Sequence, residues 1–134
     1  METVKLFKVE RLGAREVPAL RERLRDLMEQ EQVFRRDDLD ASGLADMLGI
    51  SRHQLTELIR FCHGTNFYGL LNRLRITAAC DLLLREPGLN ILTVAFDVGF
   101  SSKSAFNREF RTRMNRTPSQ YRRHGLDNAM AQAG

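Results

Sequence analysis

The chain has 134 residues, of which 43% are hydrophobic and 28% charged, and it carries a formal net charge of +4. This length and composition fit one ordinary globular domain with a short extra segment. The sequence has neither an apolar run near the roughly 18 residues of a membrane-spanning helix nor the N-terminal pattern of a signal peptide, which argues against a membrane or secreted protein and predicts a cytoplasmic one.

The N-terminal 40 residues contain one predicted helix, over residues 17–32. Pro18 is compatible with the first turn of a helix. The apolar residues after it are spaced by three or four and form one face, namely Leu20, Leu24, Leu27 and Met28. The charged stretch FRRDDLD then interrupts the pattern. This amphipathic helix either packs on the rest of the chain or mediates dimerisation.

A short helix and a longer one follow, separated by a tight turn. Ser42 is the expected N-cap of the short helix, and Gly49 ends it. Ser51 and Gln54 then form a capping box, which opens the longer helix that ends at Gly64. The apolar residues predicted to be buried in this pair are Leu44, Ala45, Leu48, Leu55, Leu58 and Ile59.

A long connecting helix is predicted next, from a cap at Asn66 to Leu84. It has roughly 18 residues and a length of about 27 Å, and the sequence Glu-Pro-Gly at residues 86–88 stops it. Its inner positions are Phe67, Leu70, Leu71, Leu74, Ala78 and Leu82. We interpret Arg73 and Arg75 as exposed residues of this helix that form ordinary ion pairs.

A second pair of helices follows the connecting helix. Asn90 is the expected cap of a short helix that Gly99 ends. Ser101 or Ser102 caps the next helix, which ends at Asn115, a residue that tolerates the left-handed conformation. The buried positions of this part are Ile91, Val94, Ala95, Val98, Phe106, Phe110 and Tyr121.

The second pair repeats the first at an offset of 50 residues, which becomes 51 after one insertion. The matched residues are Leu44 with Val94, Ala45 with Ala95, Gly49 with Gly99, Leu55 with Phe106, Ile59 with Phe110 and Gly64 with Asn115. A short helix, a glycine turn and a longer helix make a helix-turn-helix unit, whose second helix enters the major groove of DNA. The sequence therefore predicts an all-α fold of two three-helix, homeodomain-like units joined by a long helix. Such an arrangement suits successive major-groove faces, which lie about 34 Å apart.

At this point a family resemblance is evident in residues 42–123, about 80 of the 134 residues. The second unit reads Gly99-Phe100, then Phe106 and Phe110, then Thr117-Pro118 and Tyr121-Arg122. This resembles the signature G-F-x5-F-x3-F-x6-T-P-x-x-[YF]-R of bacterial AraC/XylS-family transcription regulators. The first unit, LADMLGISRHQL, and the connecting stretch LNRLRITAACDLLL are similar to the more variable half of that family's DNA-binding domain.

The resemblance implies which residues contact DNA. Base contacts are expected from the exposed start of the second helix of each unit, at His53, Thr56, Glu57, Lys103, Ser104, Ala105 and Arg108. Backbone contacts are expected at Ser51, Arg52, Asn107, Arg111, Arg113 and Arg116, because cations and helix N-termini bind phosphates. Arg108 is the strongest of these candidates, since arginine pairs with O6 and N7 of guanine. Glu57 departs from the family pattern: it either accepts from cytosine N4 or weakens the first unit, and we favour the second.

The distribution of charge agrees with a polyanion-binding C-terminal half. Residues 1–40 carry nine Lys and Arg against ten Asp and Glu, whereas residues 85–134 carry eight against four. A basic surface gains affinity for DNA by releasing condensed counterions. Charge alone is equally compatible with a solubilising surface.

No constellation of catalytic or metal-binding residues is visible in the sequence. Cys62, His63 and Cys80 lack the paired spacing of a zinc site, so we interpret the two cysteines as buried thiols in a reducing compartment. We expect no cofactor, no metal and no enzyme activity. The alternative function is a helical protein–protein interaction module, while a small helical enzyme has no supporting feature.

The chain is expected to comprise a linker with its amphipathic helix (residues 1–40), a first unit with the connecting helix (41–84), a second unit (85–124) and a frayed tail (125–134). Family members usually carry a separate sensing or dimerising domain, for which 40 residues are too few. The chain is therefore either a naturally short member or, as we favour, the DNA-reading part of a longer regulator. The stretch VKLFKVERLG with the helix after it is similar to the segment that joins a membrane sensor to this domain in some relatives, which implies a membrane-anchored parent protein. Double-stranded promoter DNA and RNA polymerase are the expected partners.

Overall fold

The computed structural model describes residues 16–133, which contain seven α-helices, one 3-10 helix and no strand. The α-helices are α1 (Glu16–Glu29), α2 (Ala41–Leu48), α3 (Arg52–His63), α4 (Phe67–Arg85), α5 (Ile91–Asp97), α6 (Lys103–Met114) and α7 (Pro118–Ala133), and the 3-10 helix is Val33–Arg35. The predicted all-α class is confirmed. None of the helices in this part of the chain has the length and apolar character that a bilayer crossing requires.

The described residues form two compact units, whose division falls inside α4. The first unit contains residues up to 33 together with 38–71, and the second contains Phe34–Asp37 together with the residues from 72 onward. The sequence had assigned the whole connecting helix to the first unit and had treated residues 1–40 as a linker. In the structure only the start of α4 belongs to the first unit, and the segment Phe34–Asp37 belongs to the second.

Helix α1 is a structural part of the first unit. It packs against α2 and α3, and it buries Val17, Leu24, Leu27 and Met28. Of the two roles left open for this helix, packing on the first unit is therefore the one that the structure supports. The helix ends at Glu29, earlier than predicted, and Gln32 adopts a positive φ of 50° before the 3-10 helix.

The cap of α2 is Asp40, not Ser42 as predicted. The Asp40 carboxylate accepts a hydrogen bond from the Gly43 amide at 2.7 Å. Ser42 lies inside the first turn and is exposed. Both residue types are good caps, and the residue beside Asp40, Leu39, is buried.

The buried face of α4 changes along the helix. Phe67, Leu70 and Leu71 are buried as predicted, but further on the fully buried residues are Ile76, Ala79 and Leu83. The predicted Leu74, Ala78 and Leu82 are only half-buried. The reason is that α4 passes from one unit to the other, so that its inner side is set by two different sets of neighbours. Arg75, predicted to be exposed, is only 7% exposed.

The second unit is built around a core contributed by α4, α5 and α6. Its buried residues are Ile76, Ala79, Leu83, Val94, Ala95, Val98, Phe100, Phe106 and Phe110. The rings of Phe100, Phe106, Phe110 and Tyr121 follow one another at centroid distances of 5.4, 5.7 and 5.6 Å. This chain of aromatic contacts fixes α6 against α7. It confirms that Phe110 is a core residue, whereas Tyr121 is partly buried and packs against that core.

Helix α7 extends to Ala133, whereas the sequence predicted a short helix followed by a frayed tail. Its start is as predicted, because Thr117 and Gln120 form a reciprocal capping box and Pro118 is the first helical residue. The tail remains helical since most of its residues permit a helix and its first residue, Gly125, lies close to another helix. A Cβ on Gly125 would lie 2.4 Å from Leu84 Cδ2, so α7 approaches α4 there.

Candidate nucleic-acid interface

The turn of the first unit is closed by backbone hydrogen bonds. Gly49 adopts the left-handed conformation with φ of 69°, and the Ile50 amide donates to the Ala45 carbonyl at 3.0 Å. Ser51 then caps α3 in the predicted capping box, in which Ser51 Oγ accepts from the Gln54 amide and Gln54 Oε1 accepts from the Ser51 amide. These local bonds fix the direction in which α3 leaves the turn.

One face of α3 buries Leu55, Leu58 and Ile59, and the opposite face is open to solvent. Arg52, His53 and Thr56 are exposed there, as a groove-entering helix requires. The Thr56 hydroxyl donates to the Arg52 carbonyl at 3.1 Å. Its proton is therefore engaged within the helix, which leaves Thr56 an oxygen acceptor and a methyl group to present to a base edge.

His53 and Glu57 form a pair on the same face. His53 Nε2 lies 3.2 Å from Glu57 Oε1, and the Glu57 side chain is only 23% exposed. The two were predicted as separate base contacts, although their spacing of four residues on a helix places them side by side. Glu57 thus brings a partly buried carboxylate to the solvent-exposed face of α3.

The second unit has the same layout with a different turn. Helix α5 ends with Val98 as its C-cap, Gly99 has a φ of 113°, and Phe100 is buried. Ser102, one of the two predicted caps, accepts from the Ala105 amide at 3.1 Å and begins α6. Asn115 ends α6 with a φ of 60°, as predicted from its match to Gly64.

The solvent face of α6 is rich in cations. Lys103, Ser104, Arg108 and Arg111 are exposed, while Ala105 and Asn107 are half-buried. Lys103, Asn107 and Arg111 follow one another at intervals of four residues along the helix. They line an open cleft of about 400 Å³ together with Ile91 and the start of α7 at Thr117, Pro118 and Ser119. Two cations, an amide and a helix N-terminus face this cleft, which is a chemistry that suits a phosphate.

The remaining two predicted backbone contacts lie towards the end of α6. Arg113 Nε is 3.5 Å from Glu109 Oε1, so part of its charge is compensated within the helix. Arg116 is half-buried and lines a second open depression with Asn115, Gln120, Arg123, His124 and Asp127. The positive charge at the end of α6 is therefore compensated more by nearby carboxylates than the positive charge beside the Lys103 cleft is.

The sequence analysis overlooked Arg60. It is exposed, and it lies four residues after Thr56, which in turn lies four after Arg52. The repeat itself could have identified it, because the offset of 51 matches Arg52, Thr56 and Arg60 with Lys103, Asn107 and Arg111. The same stripe of a cation, a polar residue and a cation is thus present on the second helix of both units.

Two other arginines of the second unit point inward and stabilise it. Arg122 donates to the carbonyls of Leu83, Leu89 and Glu86 at 2.8, 2.7 and 3.0 Å. It therefore satisfies the carbonyl groups at the end of α4 and in the loop after it, as C-terminal cations often do. Arg75, on α4, is the second of these arginines and is buried.

No group of three or more His, Cys, Asp or Glu side chains within residues 16–133 is arranged to hold a metal ion. Cys62 and Cys80 are half-buried thiols that form no disulfide. Burial raises the pKa of both thiols, in spite of the nearby Arg21 charge at Cys62 and the Tyr121 hydrogen bond at Cys80, which lower it. Protonated thiols are poor nucleophiles and poor metal ligands.

Comparison with known proteins places this site in context. Residues 44–124 match the model of a family described as "Helix-turn-helix domain". Over 85 residues, 63% of the chain, the sequence is 34% identical to the HTH-type transcriptional regulator GlxA of Rhizobium meliloti, and the match covers 26% of that protein. The chain therefore spans about a quarter of the length of this relative.

Several solved structures are similar to this one in fold. The C-terminal domain of AraT, a response regulator from Geobacillus stearothermophilus, superposes with a TM-score of 0.68 at 30% identity, covering 81% of this chain and 84% of that one. A transcriptional regulator of Chromobacterium violaceum, described by its AraC-type DNA-binding domain, superposes with a TM-score of 0.62 at 27% identity, covering 74% of this chain and 90% of that one. The helix-turn-helix units described above are thus similar to those of DNA-binding proteins.

Proposed function

Because this chain belongs to the AraC-type helix-turn-helix family of DNA-binding transcription regulators, we propose that it reads a specific sequence of double-stranded DNA through α3 and α6, one in each of two successive major grooves. The observation that carries this proposal is the matched pair of exposed polar stripes on the two helices that follow the turns. Phosphate contacts supply most of the affinity in such complexes, and base-edge contacts supply the specificity.

In the second unit, the proposed base contacts are Lys103, Ser104, Ala105 and Arg108. Arg108 is exposed near the middle of the open face of α6, where a planar fork of donors can pair with guanine O6 and N7. Asn107 and Arg111 line the cleft at the start of α7 and are proposed to hold a phosphate there, with Lys103 reaching either a base or the phosphate. Arg113 and Arg116 are proposed as weaker backbone contacts, since Arg113 is partly engaged with Glu109.

In the first unit, the proposed base contacts are His53, Thr56 and Glu57, and the proposed backbone contacts are Ser51 and Arg52. The stripe that matches the cleft of the second unit adds Arg60 to the backbone set. The Glu57 carboxylate offsets part of the positive charge on this face. We therefore propose that the first unit binds its half of the DNA site more weakly than the second.

The proposal is tested by selecting DNA targets from a random double-stranded library and measuring affinity by fluorescence anisotropy at several salt concentrations. We expect Arg108→Ala to cost about 1–3 kcal/mol at one base pair and to relax the preference there. Arg111→Ala should weaken all targets alike and reduce the salt slope by about 0.9, the value for one lost phosphate contact. Arg85→Ala is the matched control, since Arg85 is an exposed arginine that pairs with Asp81 on α4. Binding that is absent or insensitive to salt would instead favour a protein-interaction module.

We further propose that the chain is the DNA-reading part of a longer cytoplasmic regulator, because it spans only 26% of the curated relative described above. RNA polymerase is the proposed protein partner. The candidate surface for it is the apolar pair Leu92 and Phe96 on α5, which are 38% and 50% exposed and lie four residues apart. Phe96→Ser should lower activated transcription in a purified system while leaving DNA affinity unchanged. If transcription is unaffected, α5 does not contact the polymerase.

A further inference from the structure

Arg75 is a charged residue buried inside the second unit, where its guanidinium binds two backbone carbonyls. Nε donates to the Phe34 carbonyl at 2.7 Å, and a terminal nitrogen donates to the Arg36 carbonyl at 2.8 Å. The guanidinium carbon also lies 5.7 Å from the centroid of the Phe100 ring. A buried guanidinium must keep its hydrogen bonds to remain charged inside a protein, so these contacts strongly constrain where the two carbonyls and the ring can lie.

The carbonyls that Arg75 binds belong to a segment that precedes the first unit's helix-turn-helix in sequence. Phe34–Asp37 lies between α1 and α2 along the chain, yet it is part of the second unit. Arg35 adds a further contact, since one of its terminal nitrogens donates to the Asp97 carbonyl at 3.1 Å. The segment is therefore attached both to α4 and to the end of α5.

The turn before α6 packs tightly against this segment. A Cβ built on Gly99 would lie 2.5 Å from the Phe34 carbonyl oxygen and 2.6 Å from Arg75 Nε. The matched glycine of the first unit, Gly49, has no atom within 4 Å of such a Cβ. The contact is thus a property of the second unit and not of the repeat.

We propose that Arg75 and Phe34–Asp37 position the turn that presents α6, so that they determine DNA binding by the second unit without touching DNA. The inference rests on the proposed function of α6. Phe100, which packs under the Arg75 guanidinium, stands two residues before the Ser102 cap of that helix. A displaced turn tilts the start of α6, where Lys103 and Ser104 lie, and small misplacements at a contact surface lower affinity strongly.

The test compares the full chain with its Arg75→Met and Arg75→Lys variants. Each is titrated with two DNA duplexes, one retaining only the half-site of the first unit and one only that of the second. Both variants should lose about tenfold in affinity for the second half-site and less than about twofold for the first. Lysine keeps the charge but lacks the planar guanidinium, whose Nε and terminal nitrogen each reach one of the two carbonyls, so it should not restore full binding. Arg73→Met, which removes an exposed cation from the same helix, should leave both affinities unchanged.

Hydrogen exchange in the free protein gives a readout that does not depend on DNA. The Phe100 amide, which donates to the Ala95 carbonyl at 3.0 Å, should exchange about tenfold faster in the Arg75 variants. The Ile50 amide of the first unit should be unchanged. If the wild-type chain binds no DNA, the proposed function fails while this measurement still tests the positioning role. Equal losses at the two half-sites, full recovery with lysine, or unaltered exchange at Phe100 would overturn the inference.

Should Arg75→Met fail to fold, Arg35→Ala provides a milder perturbation of the same segment. It removes the contact with the Asp97 carbonyl and leaves the bonds of Arg75 in place. We expect a loss of about threefold, again confined to the second half-site. A loss of the same size at the first half-site would contradict the proposed role of the segment.

Discussion

Replacing Gly99 by alanine should destabilise the protein far more than replacing Gly49, although the two glycines hold the same place in the repeat. Gly49 has a φ of 69° and open space where a Cβ would be added. Its replacement therefore costs the strain of a left-handed alanine, about 1–2 kcal/mol. Part of this is offset by the smaller freedom of alanine in the unfolded chain, about 0.4–1 kcal/mol. A net loss of about 1 kcal/mol is expected for Gly49→Ala.

At Gly99 the same methyl group meets atoms that cannot move independently. Its φ of 113° lies outside the region that alanine tolerates, and the Cβ would overlap the Phe34 carbonyl oxygen and Arg75 Nε. Relieving that overlap lengthens a hydrogen bond from a buried charged group, and such bonds contribute about 1.5–3 kcal/mol. Together with the backbone strain, we expect Gly99→Ala to cost about 3–5 kcal/mol.

The assay is equilibrium urea denaturation of the two variants and the wild type, monitored by far-UV circular dichroism. NMR chemical shifts of Phe106 and Phe110 report on the core of the second unit. The free-energy loss should be several times larger for Gly99→Ala, and the chemical-shift changes should concentrate in the second unit. If the free energy of unfolding falls equally in both variants, or falls more in Gly49→Ala, the close contacts at Gly99 do not cost the free energy expected of them.

Three further outcomes are expected. Arg122→Ala should lower the free energy of unfolding by about 2–3 kcal/mol, because three carbonyl partners lose a charged donor, whereas its exposed neighbour Arg123→Ala should change it by less than about 0.5 kcal/mol in the same denaturation experiment. Since burial raises the pKa of Cys80 in the folded state, stability should be intact below its ordinary pKa of 9.0 and should fall as the pH rises through the folded value. Cys80→Ala should flatten that alkaline decline in thermal melts, and an unchanged slope would show that the thiol is not responsible. Glu57→Gln should strengthen DNA binding about two- to fivefold at low salt, because it removes a negative charge from the exposed face of α3. This gain should become smaller at high salt.

The turns and caps could be predicted because their causes are local. The capping box of Ser51 and Gln54 involves residues three apart, and Gly64 and Asn115 end their helices through their own backbone conformation. Such features depend on residue types at short spacing, which the sequence displays directly. The internal repeat supported each predicted turn and cap further, because the same pattern occurs in two separate segments of the chain.

The errors have long-range causes. Arg75 bonds to a carbonyl 41 residues away in the chain, and periodicity on α4 carries no information about that partner. The buried face of α4 was misread beyond Leu71 for the same reason, because the neighbours of the helix change at the boundary between the units. At the start of α2 the sequence offers two good caps, Asp40 and Ser42, and local spacing does not distinguish between them.

For the candidate interface, the sequence identified most of the exposed face but not its internal interactions. The exposure of His53, Thr56, Lys103, Ser104 and Arg108 follows from the helical period once the buried face is known. The pairing of His53 with Glu57 and the overlooked Arg60 were accessible from spacing and from the repeat offset. The cleft between α6 and the start of α7 was not accessible, since it depends on how two helices meet.

The two recurring units are completed by stretches outside the repeat. Leu58 of α3 is fully buried, while its counterpart Glu109 on α6 is half-buried and pairs with Arg113. In the first unit, α1 packs on α3, the helix that carries Leu58. The shared family match begins at residue 44 and leaves out both α1 and Phe34–Asp37. A fusion protein that carries only the matched stretch would thus expose the face of α3 that α1 covers and would leave the turn before α6 without Phe34–Asp37. A fusion protein that starts at residue 16 would keep both of these stretches.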